Sequence, residues 1–387
     1  MQRFWRARRS LLLALAVLLL LPLLAACGDG SGPASPARAT STPLPLPGDT
    51  LMIDGAEVRR VLVPDPAAGP AYAVTDAWLY INRGNGWQRT ETTADDRWLL
   101  ADAADRERIF RGDHAPCTDD SAVTTTTNAT PASTTTRKPP LSRSNDGGDT
   151  WVDLPQGAGV QPLAIDPTIP NVLYGTTCQL VITENAGGRW VSIDVPNDPP
   201  IVTLLIERER LLQLERAADG YSQLREVDVT LPSEPLLGDV LLELADATCL
   251  DAHAQRVIVG GGDQVYISDD GGRSWARSTV EPEPLATPTS ASGEDDGNPA
   301  TTAIASPETT RALQPMQVLA LRIDIANPHR IYAGTSEGLY LSQDDGATWV
   351  RYNEVPSTFA IRQIDIAAGG ADLYLTSDTN VLIVTAP

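Results

Sequence analysis

The chain has 387 residues, 42% of them apolar, and its 50 acids against 29 Lys and Arg give a formal charge of −21. That balance excludes a binder of the nucleic-acid phosphate backbone and favours solubility and cationic partners. Lys138 is the only lysine, so arginine supplies nearly all of the positive charge.

Met1 to Arg9 carries Arg3, Arg6, Arg8 and Arg9 with no acid, and an apolar run from Leu11 to Ala26 follows. These are the charged and apolar regions of an export signal. The apolar run is shorter than the about 20 residues a spanning helix takes. It ends in Leu24-Ala25-Ala26-Cys27, which resembles the lipobox of bacterial lipoproteins. The resemblance implies cleavage before Cys27 and diacylation of its thiol, with an uncleaved anchor or an ordinary signal peptide as the alternatives. Residues 1–26 are then a signal peptide, and 27–49 a lipid-bearing cysteine and flexible linker rich in Gly, Pro, Ser, Ala and Thr. Two or three acyl chains anchor stably where one does not. The expected location is the cell membrane or envelope, on its extracytoplasmic side, and loss of four arginines leaves the mature chain more acidic still.

Beyond residue 50 the informative feature is internal repetition. The segments SNDGGDTW (Ser144 to Trp151), SDDGGRSW (Ser268 to Trp275) and SQDDGATW (Ser342 to Trp349) share one pattern. It consists of Ser144, Asp146, Gly148 and Trp151; Ser268, Asp270, Gly272 and Trp275; and Ser342, Asp344, Gly346 and Trp349. A degraded copy, TENAGGRW, has Asn185 in place of the acid and Arg189 in place of the hydroxyl, and keeps Gly187 and Trp190. INRGNGW, ending at Trp87, is fainter. An Asp followed by Gly favours a tight turn, because the carboxylate accepts backbone N–H groups while Gly adopts positive φ. The Trp starts the next strand and buries its ring against the hairpin. These segments resemble the Asp-box, or BNR, repeat of sialidases and many other propellers, in which the box joins a blade's third and fourth strands.

Around each box the same order of apolar runs recurs, in Gln161 to Val195, Ala247 to Ser278 and Val318 to Tyr352. Four short strands per unit of about 40 residues make the blade of a β-propeller. Trp151 to Trp190 is one such period and Trp190 to Trp275 is two, which leaves a boxless blade at Ile201 to Pro232. The expected fold is all-β, a single seven-bladed propeller of four-stranded antiparallel blades over residues 50–387, with six or eight blades as alternatives. The last blade, Ala360 to Pro387, lacks a fourth strand, which Thr50 to Ile53 can supply to close the ring and bury its edges. Insertions near 118–143 and 281–313 are too poor in apolar residues to pack. They fall between a second and third strand and between two blades, on the face opposite the boxes, either as decoration or as a shield over a binding face.

No catalytic constellation is recognisable. Sialidases carry an [F/Y]-R-I-P motif, and Arg108-Ile109-Phe110 is its poor echo here. Asp166, Asp251, Asp324 and Asp365 recur at the ends of first strands, and repetition in blade after blade points to turn chemistry rather than to acid catalysis. His114, His253 and His329 are read as solvated loop residues, and Glu294-Asp295-Asp296 lacks the ligand spacing of a calcium site. No cofactor or metal is implied, there being no CxxC pair or Cys/His cluster. Cys117 and Cys178 occupy similar joints of neighbouring blades and are the candidate disulfide, with Cys249 as a buried thiol.

A single seven-bladed Asp-box ring of this length also resembles the photosystem II stability and assembly factor group. That resemblance implies a disc that serves as a protein-binding platform; with the lipid on Cys27, the expected protein is a monomeric, membrane-anchored scaffold that binds a protein or glycan on the face opposite the boxes. A glycan-active hydrolase, sialidase-like or of another glycoside hydrolase type, is the alternative.

Overall fold

Twenty-eight short strands, assembled into seven antiparallel sheets, account for nearly all the regular structure among the described residues of the computed structural model. Those residues are 49–65, 70–93, 97–113, 140–177, 180–192, 201–207, 210–216, 221–229, 231, 236–280 and 316–387. Cys27, Cys117, Cys178, the expected signal peptide, nearly all of the expected linker and most of both expected insertions lie outside them. The sheets are the blades of a seven-bladed β-propeller. Their innermost strands are Ala56–Leu62, Trp98–Ala101, Gln161–Ile165, Ile201–Glu207, Ala247–His253, Val318–Ile323 and Gln363–Ile366. Blades are numbered 1 to 7 in that order.

Each blade alternates short β-branched and aromatic runs with turns, a pattern suited to a pleated surface packed on both sides. The apolar faces of adjacent blades meet. Ile258 and Val265 of blade 5, for example, are fully buried in one cluster with Val318, Ile331 and Ala333 of blade 6. Full burial of such a side chain contributes about 1.5–3 kcal/mol, an upper figure because the unfolded chain already buries part of it.

Because the strands alternate in direction, the joints between strands 1 and 2 share one face with those between strands 3 and 4. Backbone bonds tie them together there: Gly147 N donates to Glu107 O, Ala186 N to Asn171 O, and Gly271 N to Gln255 O, each at 2.8 Å. We call this the turn face. The opposite, mouth face carries the joints between strands 2 and 3 and between blades, including both attachment points of the insertions.

The ring closes through the amino-terminal strand. Leu51 N donates to Val381 O at 2.8 Å, Ile383 N donates to Asp49 O at 3.3 Å, and Thr50 bridges Leu382. Asp49 to Leu51 therefore completes blade 7, whose own strands are Gln363–Ile366, Asp372–Thr376 and Val381–Thr385. Met52–Ile53 instead turns back to pair with Ala56 and Glu57 of blade 1, so one short segment serves two blades.

Two boundaries differ from the sequence reading. Blade 4 runs past Pro232 to an outermost strand, Leu236–Ala245, the longest among the described residues. Its low contrast of apolar and polar residues hid it. The insertion near 118–143 is shorter than that range, because Leu141–Ser144 is the third strand of blade 2 and Leu141 is fully buried.

The repeated turns are built as their residues dictate. Asp270 Oδ1 accepts Ser274 N at 2.8 Å and Oδ2 accepts the Ser274 hydroxyl at 2.6 Å, while Ser268 Oγ accepts Gly272 N at 2.7 Å. Asp146 and Asp344 repeat this with Thr150 and Thr348. In blade 3, Asn185 Oδ1 accepts Arg189 N at 2.8 Å, so the turn survives without a carboxylate.

The tryptophan does more than cover its own hairpin. Trp151 Nε1 donates to Thr92 Oγ1 of blade 1 at 2.7 Å, Trp275 Nε1 to Leu241 O of blade 4 at 2.9 Å, and Trp349 Nε1 to Ser278 Oγ of blade 5 at 2.9 Å. Each of these turns therefore clasps its blade to the outermost strand of the preceding one.

The side-chain bonds from Ser274 and Thr348 hold the Asp270 and Asp344 carboxyls below the ordinary value of 3.8. A carboxyl depressed in the folded state stabilises it above the unfolded value and loses that contribution as pH falls. Denaturant midpoints measured from pH 6 down to 2.5 are expected to drop below pH 4, and Asp270→Asn with Asp344→Asn to flatten that drop. An unchanged profile in the double variant contradicts this assignment.

Candidate functional site

The seven innermost strands enclose a central channel whose cavity measures about 520 Å³. The strands offer their inner edges to this space, and in blade 1 Met52–Ile53 covers the first residues of that edge. Six of the blades line it with a leucine: Leu62, Leu100, Leu163, Leu205, Leu250 and Leu319. Set at several depths along the wall, these six make up a leucine belt.

Charged groups are placed among these leucines and at the mouth. Arg362 immediately precedes the innermost strand of blade 7, which puts it at the mouth, where Asp378 holds it through two bonds of 3.0 and 3.2 Å. That pair is half exposed and contributes little to stability. Trp98 begins the innermost strand of blade 2 and is 40% exposed, with the Arg60 guanidinium 5.1 Å from its ring centroid. Arg60 also donates to Arg97 O at 3.3 Å. Arg322 is next to last in its strand, toward the turn face.

Two of the four recurring aspartates belong to this channel. Asp166 and Asp324 do the turn chemistry that their repetition suggests: Asp166 Oδ1 accepts Thr168 N and Ile169 N at 2.8 and 2.9 Å, and Asp324 Oδ1 accepts Ala326 N at 2.9 Å. Asp251 and Asp365 do something else. Asp251 Oδ2 accepts Ile323 N of blade 6 at 2.7 Å, and Asp365 Oδ1 accepts Val63 N of blade 1 at 3.1 Å. They fasten neighbouring innermost strands, because the inner edge of a blade has amides with no ladder partner.

Burial raises the Asp365 carboxyl above 3.8, opposed by Arg322, by Val63 N and by the Gln363 amide. A carboxyl raised in the folded state stabilises it below the unfolded value and loses that contribution as pH climbs through the folded value. Asp365→Asn keeps an acceptor for Val63 N and is expected to match or exceed the parent in chemical denaturation at pH 7. Asp365→Ala leaves two donors stranded and is expected to lose about 1–3 kcal/mol. Equal losses in the two variants contradict the strand-fastening role.

The other residues singled out by sequence lie away from the channel. The serines, acids and glycines of the repeated turns all sit on the turn face, engaged with one another. Arg108, in the echo of the sialidase motif, donates from Nε to Asp102 Oδ2 at 2.8 Å in a buried pair. Its guanidinium is thereby committed to the fold. His329 is exposed and bonds Asp345 through Nδ1 at 2.9 Å. Cys249 lines the cavity as a buried thiol, and burial pushes it up to about 12, so it is not poised as a nucleophile. Among the described residues no three His, Cys, Asp or Glu are grouped to hold a metal.

Sequence reasoning missed the leucine belt and Arg60, Trp98, Arg322 and Arg362. One signal was available, a leucine or arginine at successive innermost strands, but it is legible only once the strands are aligned.

Neither a protein-family model nor a curated protein matches the chain. Solved structures do. The extracellular domain assigned to a hybrid two-component system of B. thetaiotaomicron has a TM-score of 0.53 at 12% identity. The match covers 87% of this chain, but the chain spans only 39% of that protein's length. YCF48 from Cyanidioschyzon merolae also gives 0.53 at 12% identity, with 88% of this chain and 98% of the other covered. YCF48 bound to D1 peptide gives 0.52 at 13%, with coverage of 86% and 94%. At such identities the likeness shows the propeller fold alone.

Proposed function

We propose that the protein is a membrane-tethered extracytoplasmic scaffold that binds a protein partner on the mouth face. The observation that carries this reading is the convergence, at one opening, of half-exposed Trp98, the Arg60 stacked on it, and Arg362. Trp and Arg are the side chains that most often dominate protein interfaces. They gather at one rim, whereas the turns of the opposite face spend their polar groups on one another. A propeller of the same fold, YCF48, has been seen with a peptide bound, which supports a polypeptide ligand. Lipid on Cys27 would hold the disc at the envelope. A glycan hydrolase asks for two carboxyl groups facing the substrate, and the cavity's Asp251 and Asp365 already hold the main chain of the next blade.

The test is photocrosslinking in native membranes, with the reactive residue at Trp98 or at Val350. Val350 is 68% exposed and lies at the turn-face end of an outermost strand. A discrete adduct from position 98 and none from 350 is expected, with Cys27→Ser releasing the chain from the membrane. Adducts from 350 alone, or equally from both, overturn the reading.

A further inference from the structure

The interior of the channel has a chemistry of its own, which goes beyond what the mouth face does with a partner. Arg322 Nη1 lies 3.7 Å from Asp251 Oδ1, too far for a hydrogen bond, and Arg322 Nε is buried with no partner. The Asp251 and Asp365 carboxyls both interact with this charge, but their hydrogen bonds go to other groups. Asp251 Oδ2 holds Ile323 N, while Asp365 takes Val63 N on Oδ1 and the Gln363 amide on Oδ2 at 2.6 Å. The Arg322 side chain keeps a quarter of its surface exposed in a wall built of leucines. Its planar fork matches a carboxylate. Three arginines and two aspartates line the cavity, the reverse of the balance in a chain of net charge −21. A volume of about 520 Å³ lies within the range of small-molecule sites.

We propose that the channel is a binding site for an aliphatic carboxylate, its head group meeting Arg322 and its chain lying along the leucine belt. A fatty acid and the carboxyl end of a polypeptide finishing in aliphatic residues share that chemistry. The proposal rests on the channel wall and not on the partner reading, so either can fail alone.

Calorimetric titration of the full chain with decanoate, decanol and decylammonium tests it. One decanoate per chain is expected, with the alcohol and the amine at least tenfold weaker. Arg322→Gln should weaken decanoate at least tenfold and erase its advantage over decanol. Leu250→Trp, which narrows the belt, should exclude all three. The peptide Gly-Ala-Val-Leu with a free carboxylate, against its amide, separates the two sources: binding of the free acid alone identifies a chain end, and binding of decanoate alone a fatty acid. Equal affinity for decanol, preference for decylammonium, binding of neither decanoate nor the free-acid peptide, or decanoate binding unchanged by Leu250→Trp each overturns the proposal. Should Arg322→Gln fail to fold, the ligand series on the unmodified chain and Leu250→Trp still decide.

Discussion

Gly346→Ala is expected to destabilise the protein by about 3 kcal/mol in chemical denaturation, whereas Gly369→Ala should cost only about 1 kcal/mol. Both glycines have left-handed backbone, with φ of 83° and 89°. An L residue there costs about 1–2 kcal/mol, so the two substitutions share that term. They differ in what a Cβ meets. At Gly369 nothing lies within 4 Å, but at Gly346 it would collide with Cδ1 of Ile267, on the preceding blade. Overpacking of a well-filled core adds about 1–3 kcal/mol. The difference between the two variants thus reads the closeness of blades 5 and 6 directly. Gly148 makes the same approach to Leu79 of blade 1, at 2.6 Å for its Cβ. Equal losses at 346 and 369 would show that the glycine serves its own turn and nothing beyond it.

Trp275→Ala is expected to cost about 3–5 kcal/mol, the range for removing a large aromatic from a packed site. Trp275 packs beside the cluster of Leu244, Val257 and Val259, and its Nε1 donates to Leu241 O at 2.9 Å and to Gly272 O at 3.1 Å. Trp275→Phe keeps most of the packing and loses the donor, so a loss of about 1 kcal/mol is expected. Trp190 supplies the contrast. It occupies the same place in the turn without a carboxylate, and its Nε1 is buried with no partner. Gly157 lies beneath it in place of an acceptor, so close that a Cβ there would sit 3.0 Å from Nε1. Trp190→Phe removes an unsatisfied donor and is expected to be neutral or stabilising. Denaturation of the three variants side by side decides this, and a larger loss from Trp190→Phe than from Trp275→Phe would contradict the clasp.

What the sequence disclosed and what it withheld divide along a physical line. The turn around Asp270 is made within seven residues of chain, so Ser268, Gly272 and Ser274 announce it wherever they occur in that order. The period of the tryptophans and the missing strand of blade 7 follow from the same local signals, which is why seven blades and closure by Thr50 could be anticipated. Bonds across blades leave no such trace. Asp251 reaches an amide 72 residues away and Asp365 one 302 residues away. Nothing local separates them from Asp166 and Asp324, which fold back on their own turns. The channel was hidden for the same reason: Leu100 and Leu250 read as ordinary strand residues until seven strands are set side by side. Blade 4 lacks the acidic turn and tryptophan, and without that punctuation its outermost strand was lost.

The opposed faces, the channel and its arginines all presuppose a ring closed by the chain's two ends. The pair Thr50→Cys and Leu382→Cys tests that most directly, because the two positions lie opposite each other across the closing strands. Directly opposed residues of an antiparallel pair stand within disulfide reach. Mass mapping after mild oxidation is expected to find residues 50 and 382 joined within one chain, with a raised denaturation midpoint that reducing agent reverses. Recovery of both thiols unpaired, or joined only between chains, would contradict the closed ring.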